Sequence, residues 1–247
     1  MYEETLTKIR EAKPLIHHLT NWVTIYDCAQ MTRAVGALPV MAHSEKEVAD
    51  MTNAASALVL NIGTLTEPFV ESMKIAAKKA NEKKIPVVLD IVGCGATPLR
   101  SEKTVEILKD VHVDIIKGNS AEIASLAGAE AEVRGVEAIG LKGDIKDIAK
   151  ELAKKENAVV VVTGKVDIIT DGERVENCTY GDKIMGKLVG TGCMATSVIG
   201  SFAAASKDYV KSSLEALSFY GKRAELAAEK ATGPMDFKNK FMDEVAR

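Results

Sequence analysis

Aromatic side chains are scarce in this chain: Phe, Tyr and Trp make up 4% of 247 residues, with a single tryptophan. A core built without them must be aliphatic, and the 47% of apolar residues are enough for a sizeable one. Neither sign of charge dominates. The net charge of −3 offers no basic field, so no nucleic-acid partner is expected. The four cysteines, Cys28, Cys94, Cys178 and Cys193, contain no C-x-x-C pair, which argues against a zinc site or a disulfide framework. No apolar run is long enough to span a bilayer, and the opening Met-Tyr-Glu-Glu lacks a basic-then-apolar signal. No membrane partner is expected, and the cytoplasm is the expected location. Repeats, low-complexity tracts and Pro/Ser-rich linkers are also missing, so residues 1–247 are read as one domain.

What the chain does contain is alternation of helix and strand. An amphipathic helix over 2–13 precedes a strand at 14–20, which stops at Asn21, an N-cap residue type that opens a helix to about Ala34 with Gly36 as its stop. Residues 39–43 read as extended, and Ser44 to Glu47 has capping-box spacing before a helix to about Ala55. Buried parallel strands are expected at 57–61 and 86–90 around a helix over 66–81. A loop over 91–97 leads to a helix from Ser101, a strand at 114–117 and a second capping-box spacing, Asn119 to Glu122. Residues 129–139 read as irregular. A helix over 144–155, the strand 158–162, a hairpin turning at Asp171 and Gly172, and three final helices complete the pattern. Such alternation predicts an α/β fold, a mostly parallel central sheet with helices on both faces.

Ligands of such sheets bind at the carboxyl ends of the strands. Asp90, Lys117 with Gly118 and Asn119, and Thr163 with Gly164 stand at three of those ends. The stretch Gly186-Lys-Leu-Val-Gly-Thr-Gly-Cys-Met-Ala-Thr-Ser-Val-Ile-Gly200 follows them. Its turn, Gly190, Thr191 and Gly192, runs into an uncharged, small-residue segment suited to a buried helix. A glycine turn entering a helix aims several N–H groups and the positive end of the helix dipole at one spot, an anion site. Cys193 lies in that first turn, where a lowered thiol pKa is expected.

Two other motifs fail on inspection. Gly181 to Lys187 has P-loop spacing, but Leu188 stands where a magnesium-binding hydroxyl is needed, and no Val-rich strand precedes it. Gly93-x-Gly95 follows a good strand, yet Pro98 replaces the third glycine of a dinucleotide fingerprint. His17 and His18 are neighbours on a strand and point to opposite faces, so structural histidines, or one ligand-facing histidine, are expected rather than a metal pair.

Several segments carry a family resemblance: Met41-Ala-His43, Leu60-Asn-Ile-Gly-Thr64, Leu89-Asp90-Ile-Val-Gly-Cys-Gly-Ala-Thr97, Lys117-Gly-Asn-Ser-Ala-Glu122, Val162-Thr-Gly164 and Val189-Gly-Thr-Gly-Cys193. In this order they resemble hydroxyethylthiazole kinase, a family of the ribokinase-like superfamily, and the likeness runs from about Pro14 to the C-terminal region. Gly-Thr-Gly-Cys is its most specific motif, since other members of the superfamily usually have Asp at the cysteine position. The resemblance implies a ribokinase-like three-layer fold. It also implies ATP-dependent phosphorylation of the hydroxyl of 5-(2-hydroxyethyl)-4-methylthiazole in thiamine biosynthesis or salvage, a Mg²⁺ cofactor, and a homotrimer with thiazole sites between subunits.

Carried over by position, Cys193 is the catalytic residue beside the substrate hydroxyl, and Met41, Gly190 and Asn21 bind the thiazole. Lys117, Thr163 and Gly192 hold ATP, while Asp90 and Glu122 organise the metal and its waters. Two departures stand out. The family usually has Arg where this chain has Lys117, so a point charge replaces a bidentate fork. Ile91 and Cys94 replace the family's usual Pro and Val, small apolar changes from which little effect is expected. Two rivals stay open on the sequence: another kinase or an ATP-dependent hydrate dehydratase of the superfamily, which would want Asp at position 193, and a nucleotide-binding sensor without turnover.

Overall fold

The computed structural model describes residues 2–129, 131–134, 137–141 and 143–247. In chain order the elements are α1 (Glu3–Ala12), β1 (Leu15–Leu19), α2 (Ile25–Val35), β2 (Leu38–Val40), α3 (Val48–Ala54), β3 (Ala57–Asn61), α4 (Glu67–Lys83), β4 (Val87–Asp90), α5 (Pro98–Asp110) and β5 (Ile115–Asn119). They continue with α6 (Ser120–Leu126), β6 (Ala131–Arg134), β7 (Glu137–Leu141), α7 (Ile145–Glu156), β8 (Val159–Thr163), β9 (Asp167–Thr170), β10 (Val175–Cys178), a 3₁₀ turn at Lys183–Lys187, α8 (Thr191–Ala203), α9 (Tyr209–Ala228) and α10 (Pro234–Ala246).

Eight strands form one sheet in the order β10-β9-β8-β5-β4-β3-β1-β2. The six from β2 to β8 run parallel, and β9 and β10 close one edge as an antiparallel hairpin. Each central strand is apolar on both faces because each face is covered. Val59, Val88, Ile115 and Val161 pack with Met194, Val198, Phe202, Phe219 and Phe241 of the last three helices. Their strand neighbours Leu58, Leu60, Leu89, Ile116 and Val160 point the other way, toward Phe69, Met73, Ile107 and Leu152 of α4, α5 and α7. The expected α/β architecture with helices on both faces is thus the observed one.

Local starts differ from expectation where a side chain is used elsewhere. Asn21 Oδ1 accepts from the N–H groups of Val23 and Thr24, capping a turn, and α2 starts only at Ile25. Ser44 Oγ accepts from Lys46 N at 3.3 Å rather than forming a capping box with Glu47, and α3 starts at Val48. The helix expected from Ser101 starts earlier, at Pro98, because Thr97 caps it and proline fits its first turn. The Asn119–Glu122 capping box forms as expected. Within the stretch read as irregular, β6 and β7 pair antiparallel. Strands this short, with Gly135 between them, leave little periodicity to read. Glu130, Gly135, Val136 and Lys142 lie outside the described residues. His17 and His18 are both buried in structural contacts, His17 with Thr52 and the Ala42 carbonyl, and His18 with Thr32. Among the described residues no helix is long and apolar enough to cross a membrane.

Helix α8 lies on β3, and Gly200 packs closely against Val59. A Cβ there would stand 2.4 Å from Cγ2 of the buried Val59. Overpacking of this kind costs about 1–3 kcal/mol, more than the roughly 1 kcal/mol that alanine gains over glycine in a helix. Gly200→Ala is therefore expected to lower the urea midpoint of unfolding despite its better helix propensity. A midpoint at or above wild type would show that α8 lifts off the sheet at little cost.

Candidate active site

Three neighbouring parallel strands bring polar residues to one level near their carboxyl ends, with β5 running two residues further to Asn119. Asn61 is in register with Asp90, and Asp90 with Lys117. Strand register thereby places an amide, a carboxylate and an ammonium side by side under the start of α8. Lys117 Nζ lies 3.2 and 3.3 Å from the two Asp90 oxygens, and Asp90 Oδ2 also accepts from Thr196 Oγ1 at 2.6 Å and Asn61 Nδ2 at 3.1 Å. Asp90 is wholly buried and Lys117 nearly so. Burial works against the Lys117 charge, but Asp90 and then Glu122 outweigh it and raise the ammonium above its ordinary value.

Glu122 completes the acidic side. Its two oxygens accept from the N–H groups of Gly93 and Asn119 at 2.7 and 2.8 Å. Burial pushes its carboxyl upward; Lys117 opposes this and Asp90 adds to it. Gly118 lets the segments after β4 and β5 close here, since a Cβ would stand 3.1 Å from Glu122 Cβ and 2.9 Å from an Ile91 side-chain carbon.

The glycine turn sits above the pair. Gly190 has φ of +97°, and a Cβ on it would fall 2.5 Å from Thr24 Cγ2. It offers no side chain to cap the first-turn N–H groups of α8, which are left for an anion. A Cβ on Gly192 would stand 3.1 Å from Lys117 Nζ, so the ammonium lies against the same turn. Cys193 Sγ is 3.3 Å from both Asn21 Nδ2 and Asn61 Nδ2. Its surroundings differ from expectation. Burial raises the thiol above its ordinary value and Asp90 raises it further, while Lys117 and hydrogen bonding with Thr24 and Asn61 oppose the rise without reversing it. The direction is opposite to the lowering expected from the helix start, and its causes are burial and then the Asp90 carboxylate.

Beside the turn opens a cavity of about 660 Å³, whose lining includes Thr163, Asp167, Tyr180, Gly192, Leu217 and Gly221. The segment with P-loop spacing lines it too, through Gly181, Lys183 and Gly186, but as a 3₁₀ turn following an edge strand. Thr163 Oγ1 is tied to the Gly118 carbonyl at 3.3 Å, which fixes the β8 end against the β5 end. Asp167, with one oxygen accepting from Gly164 N, is pushed up to about 6 by burial.

The structure thus gathers Asn21, Asp90, Lys117, Glu122, Gly190, Gly192 and Cys193 at one place, with Thr163 on the rim of the adjoining cavity. Met41 stands apart. It is half-buried just beyond β2, the edge strand, with β1 between it and Asn61. Sequence reasoning misses Asn61 and Thr196 as site residues. Asn61 ends a buried strand as Asp90 does, which is a legible signal. Thr196 is only one small residue among many in α8, and its link to Asp90 needs the packed helix.

Comparison with known proteins leads the same way. A model of the Hydroxyethylthiazole kinase family matches residues 6–247. A hydroxyethylthiazole kinase of Methanosarcina acetivorans is 57% identical over 242 residues, 98% of this chain and 93% of that protein. One from a Thermoanaerobacter species is 51% identical over 247 residues, 99% of this chain and 94% of that protein. The solved structure of a hydroxyethylthiazole kinase protein from Pyrococcus horikoshii OT3 matches with a TM-score of 0.90 at 38% identity, covering 100% of this chain and 92% of that one. An ADP/ATP-dependent NAD(P)H-hydrate dehydratase from Bacillus subtilis shares the fold, with a TM-score of 0.63 at 15% identity over 99% of this chain and 96% of that one.

The raised thiol has a direct consequence in pH. A thiol with an elevated pKa keeps a small thiolate fraction at neutral pH, and that fraction grows tenfold per pH unit until the pKa is passed. Alkylation of Cys193 by iodoacetamide, followed by peptide mass spectrometry, is expected to be slow at pH 7 and still rising above pH 9, the ordinary thiol value. Levelling off below pH 8 would mean that the helix start wins after all.

Proposed function

From the premise that the chain belongs to the hydroxyethylthiazole kinase family, we propose that it works as a single kinase domain over residues 1–247. It transfers the γ-phosphoryl group of ATP to the hydroxyl of 5-(2-hydroxyethyl)-4-methylthiazole, a step of thiamine biosynthesis or salvage in the cytoplasm. The observation that carries this reading is the buried Lys117–Asp90 pair pressed against an uncapped helix start beside a nucleotide-sized cavity.

In this reading ATP occupies the cavity past Thr163 and Gly192, and its transferring end meets the α8 amides and Lys117. The thiazole alcohol lies on the Cys193 side, near Asn21 and the Gly190 backbone. The alcohol oxygen bonds to phosphorus as the bond to the ADP oxygen breaks. Charge spreading over the moving phosphoryl group is met by N–H dipoles already fixed in place, which need no reorganisation. Asp90 and Glu122 are the residues that would hold a Mg²⁺–nucleotide complex, since magnesium takes one or two carboxylates beside substrate phosphates. Bound there, the ion neutralises phosphate charge.

Phosphoryl transfer through a loose transition state asks little of a base. Cys193 takes the alcohol proton only in its minor thiolate form and contributes modestly. A carboxylate at the same position is charged more readily at neutral pH. In an assay of thiazole-dependent ADP release, the wild type is expected to turn over, Cys193→Asp to equal or exceed it, and Cys193→Ala to fall about 10- to 100-fold, at or below the low end for a lost general base. ATP binding without thiazole-dependent ADP release would make the protein a sensor instead. Full activity in the alanine variant would reduce Cys193 to packing.

We read the assembly as a homotrimer with Met41 reaching the thiazole site of a neighbouring subunit. What supports this is the place of Met41 just after the outer strand β2, with β1 between that strand and Asn61 on β3, and an apolar surface beside the glycine turn. Trp22, Val23, Tyr26 and Val189 are 55%, 67%, 70% and 77% exposed on elements that meet at Thr24 and Gly190. Patches of this kind mark interfaces. Sedimentation is expected to give a trimer, with activity lost on dilution to monomer. A fully active monomer would refute shared sites.

A further inference from the structure

The wall of the nucleotide cavity formed by residues 179–186 leaves the sheet after β10, the outermost strand, and so has no ladder to hold it. Thr191 Oγ1 donates to the Met185 carbonyl at 3.3 Å near its far end, and α9 holds its first half. The residues Leu217, Tyr220, Gly221 and Glu225 are spaced i, i+3, i+4 and i+8, one face of that helix. Leu217, Tyr220 and Gly221 line the cavity itself. Tyr220 Oη donates to the Thr191 carbonyl at 2.7 Å and so steadies the start of α8. Gly221 receives the Tyr180 backbone: a Cβ on it would lie 2.6 Å from both the carbonyl carbon and the oxygen of Tyr180. Lys222 Nζ sits 4.6 Å from the Tyr180 ring centroid. Glu225 Oε1 accepts from Gly181 N at 3.0 Å. Gly181 itself has φ of +134°, so the chain turns there in a conformation that other residues rarely adopt.

We propose that Glu225 is a positioning residue for the nucleotide: by holding Gly181 it sets the gap between the 179–186 wall and the rim at Thr163 and Gly192. The proposal rests on the cavity being the ATP site. Glu225 does not line that cavity and acts only through the backbone it fixes. A hydrogen bond from N–H to a carboxylate is among the stronger kind, and its loss lets the turn drift rather than unfold the domain. The consequence falls on ATP affinity. The thiazole side, on the far side of the glycine turn, keeps its geometry.

The test is steady-state kinetics of full-length Glu225→Ala, Glu225→Asp and Glu225→Gln, with thermal melting as a check on folding. Alanine removes the acceptor, aspartate withdraws it by one methylene, and glutamine keeps a carbonyl oxygen at the same reach. The first two are expected to raise the KM for ATP about 5- to 20-fold, with the thiazole KM and the kcat at saturating ATP within twofold of wild type. Glutamine is expected to restore the ATP KM to within about threefold. Should alanine fail to fold, the contrast of aspartate with glutamine carries the test. An unchanged ATP KM, or equal rises in both substrates' KM, overturns the positioning role. Photolabelling of the wild type with 8-azido-ATP separates the two levels. Labelled peptides from 179–187 or 217–221 uphold the cavity as the nucleotide site, whereas labelling elsewhere overturns that reading and the proposal with it.

Discussion

The rest of the site depends on one buried ion pair. Asp90 is fully buried and Lys117 nearly so, and each charge taken alone out of water would cost several kcal/mol. Each charge offsets the other's loss of water, and the pair still leaves oxygen lone pairs to satisfy. Asn61 and Thr196 do this, one from the neighbouring strand and one from the helix above. The same contact that settles the electrostatics therefore pins α8 to the sheet edge, and with it the glycine turn and its free amides.

Topology makes the arrangement possible at small entropic cost. In a parallel sheet all carboxyl ends face one way, so three consecutive strands joined by two helical crossovers deliver Asn61, Asp90 and Lys117 to one level. The acidic, basic and dipolar parts are each held by regular structure. Such groups are already oriented when substrate arrives, which is what electrostatic catalysis of phosphoryl transfer requires. Cys193 is placed by the same packing. Its burial beside Asp90 explains why it remains a thiol, and it fits a mechanism in which charge stabilisation outweighs proton removal.

Much of this is legible in the amino-acid sequence alone. The Val-rich strands, the polar residues at their carboxyl ends and the Gly190–Cys193 turn point to the fold and to one rim. The motifs, taken in order, point to the family. What the sequence hides are effects of packing. Thr196 looks like any small residue until α8 lies on β4, and Asn21, which only the family resemblance puts at the thiazole, reads by itself as an ordinary N-cap until its amide is seen turned toward Asn61 and Cys193. The shift of the Cys193 thiol runs against the sequence-based expectation for the same reason. Helix position is visible in sequence, whereas desolvation by neighbours distant in the chain is not. The antiparallel pairing of β6 and β7 escapes notice because four- and five-residue strands carry too little alternation.

The central claim is that the Asp90–Lys117 network, more than Cys193, supplies the rate. The most direct measurement compares kcat in Asp90→Asn with kcat in Cys193→Ala under saturating ATP and thiazole. Neutralising Asp90 removes the charge that orders Lys117 and the metal-bearing side, and a loss of about 10³-fold or more is expected, at or beyond the upper end for one electrostatic group. The alanine variant should retain distinctly more activity. If Asp90→Asn turned over near the wild-type rate while Cys193→Ala was nearly dead, the account would be contradicted.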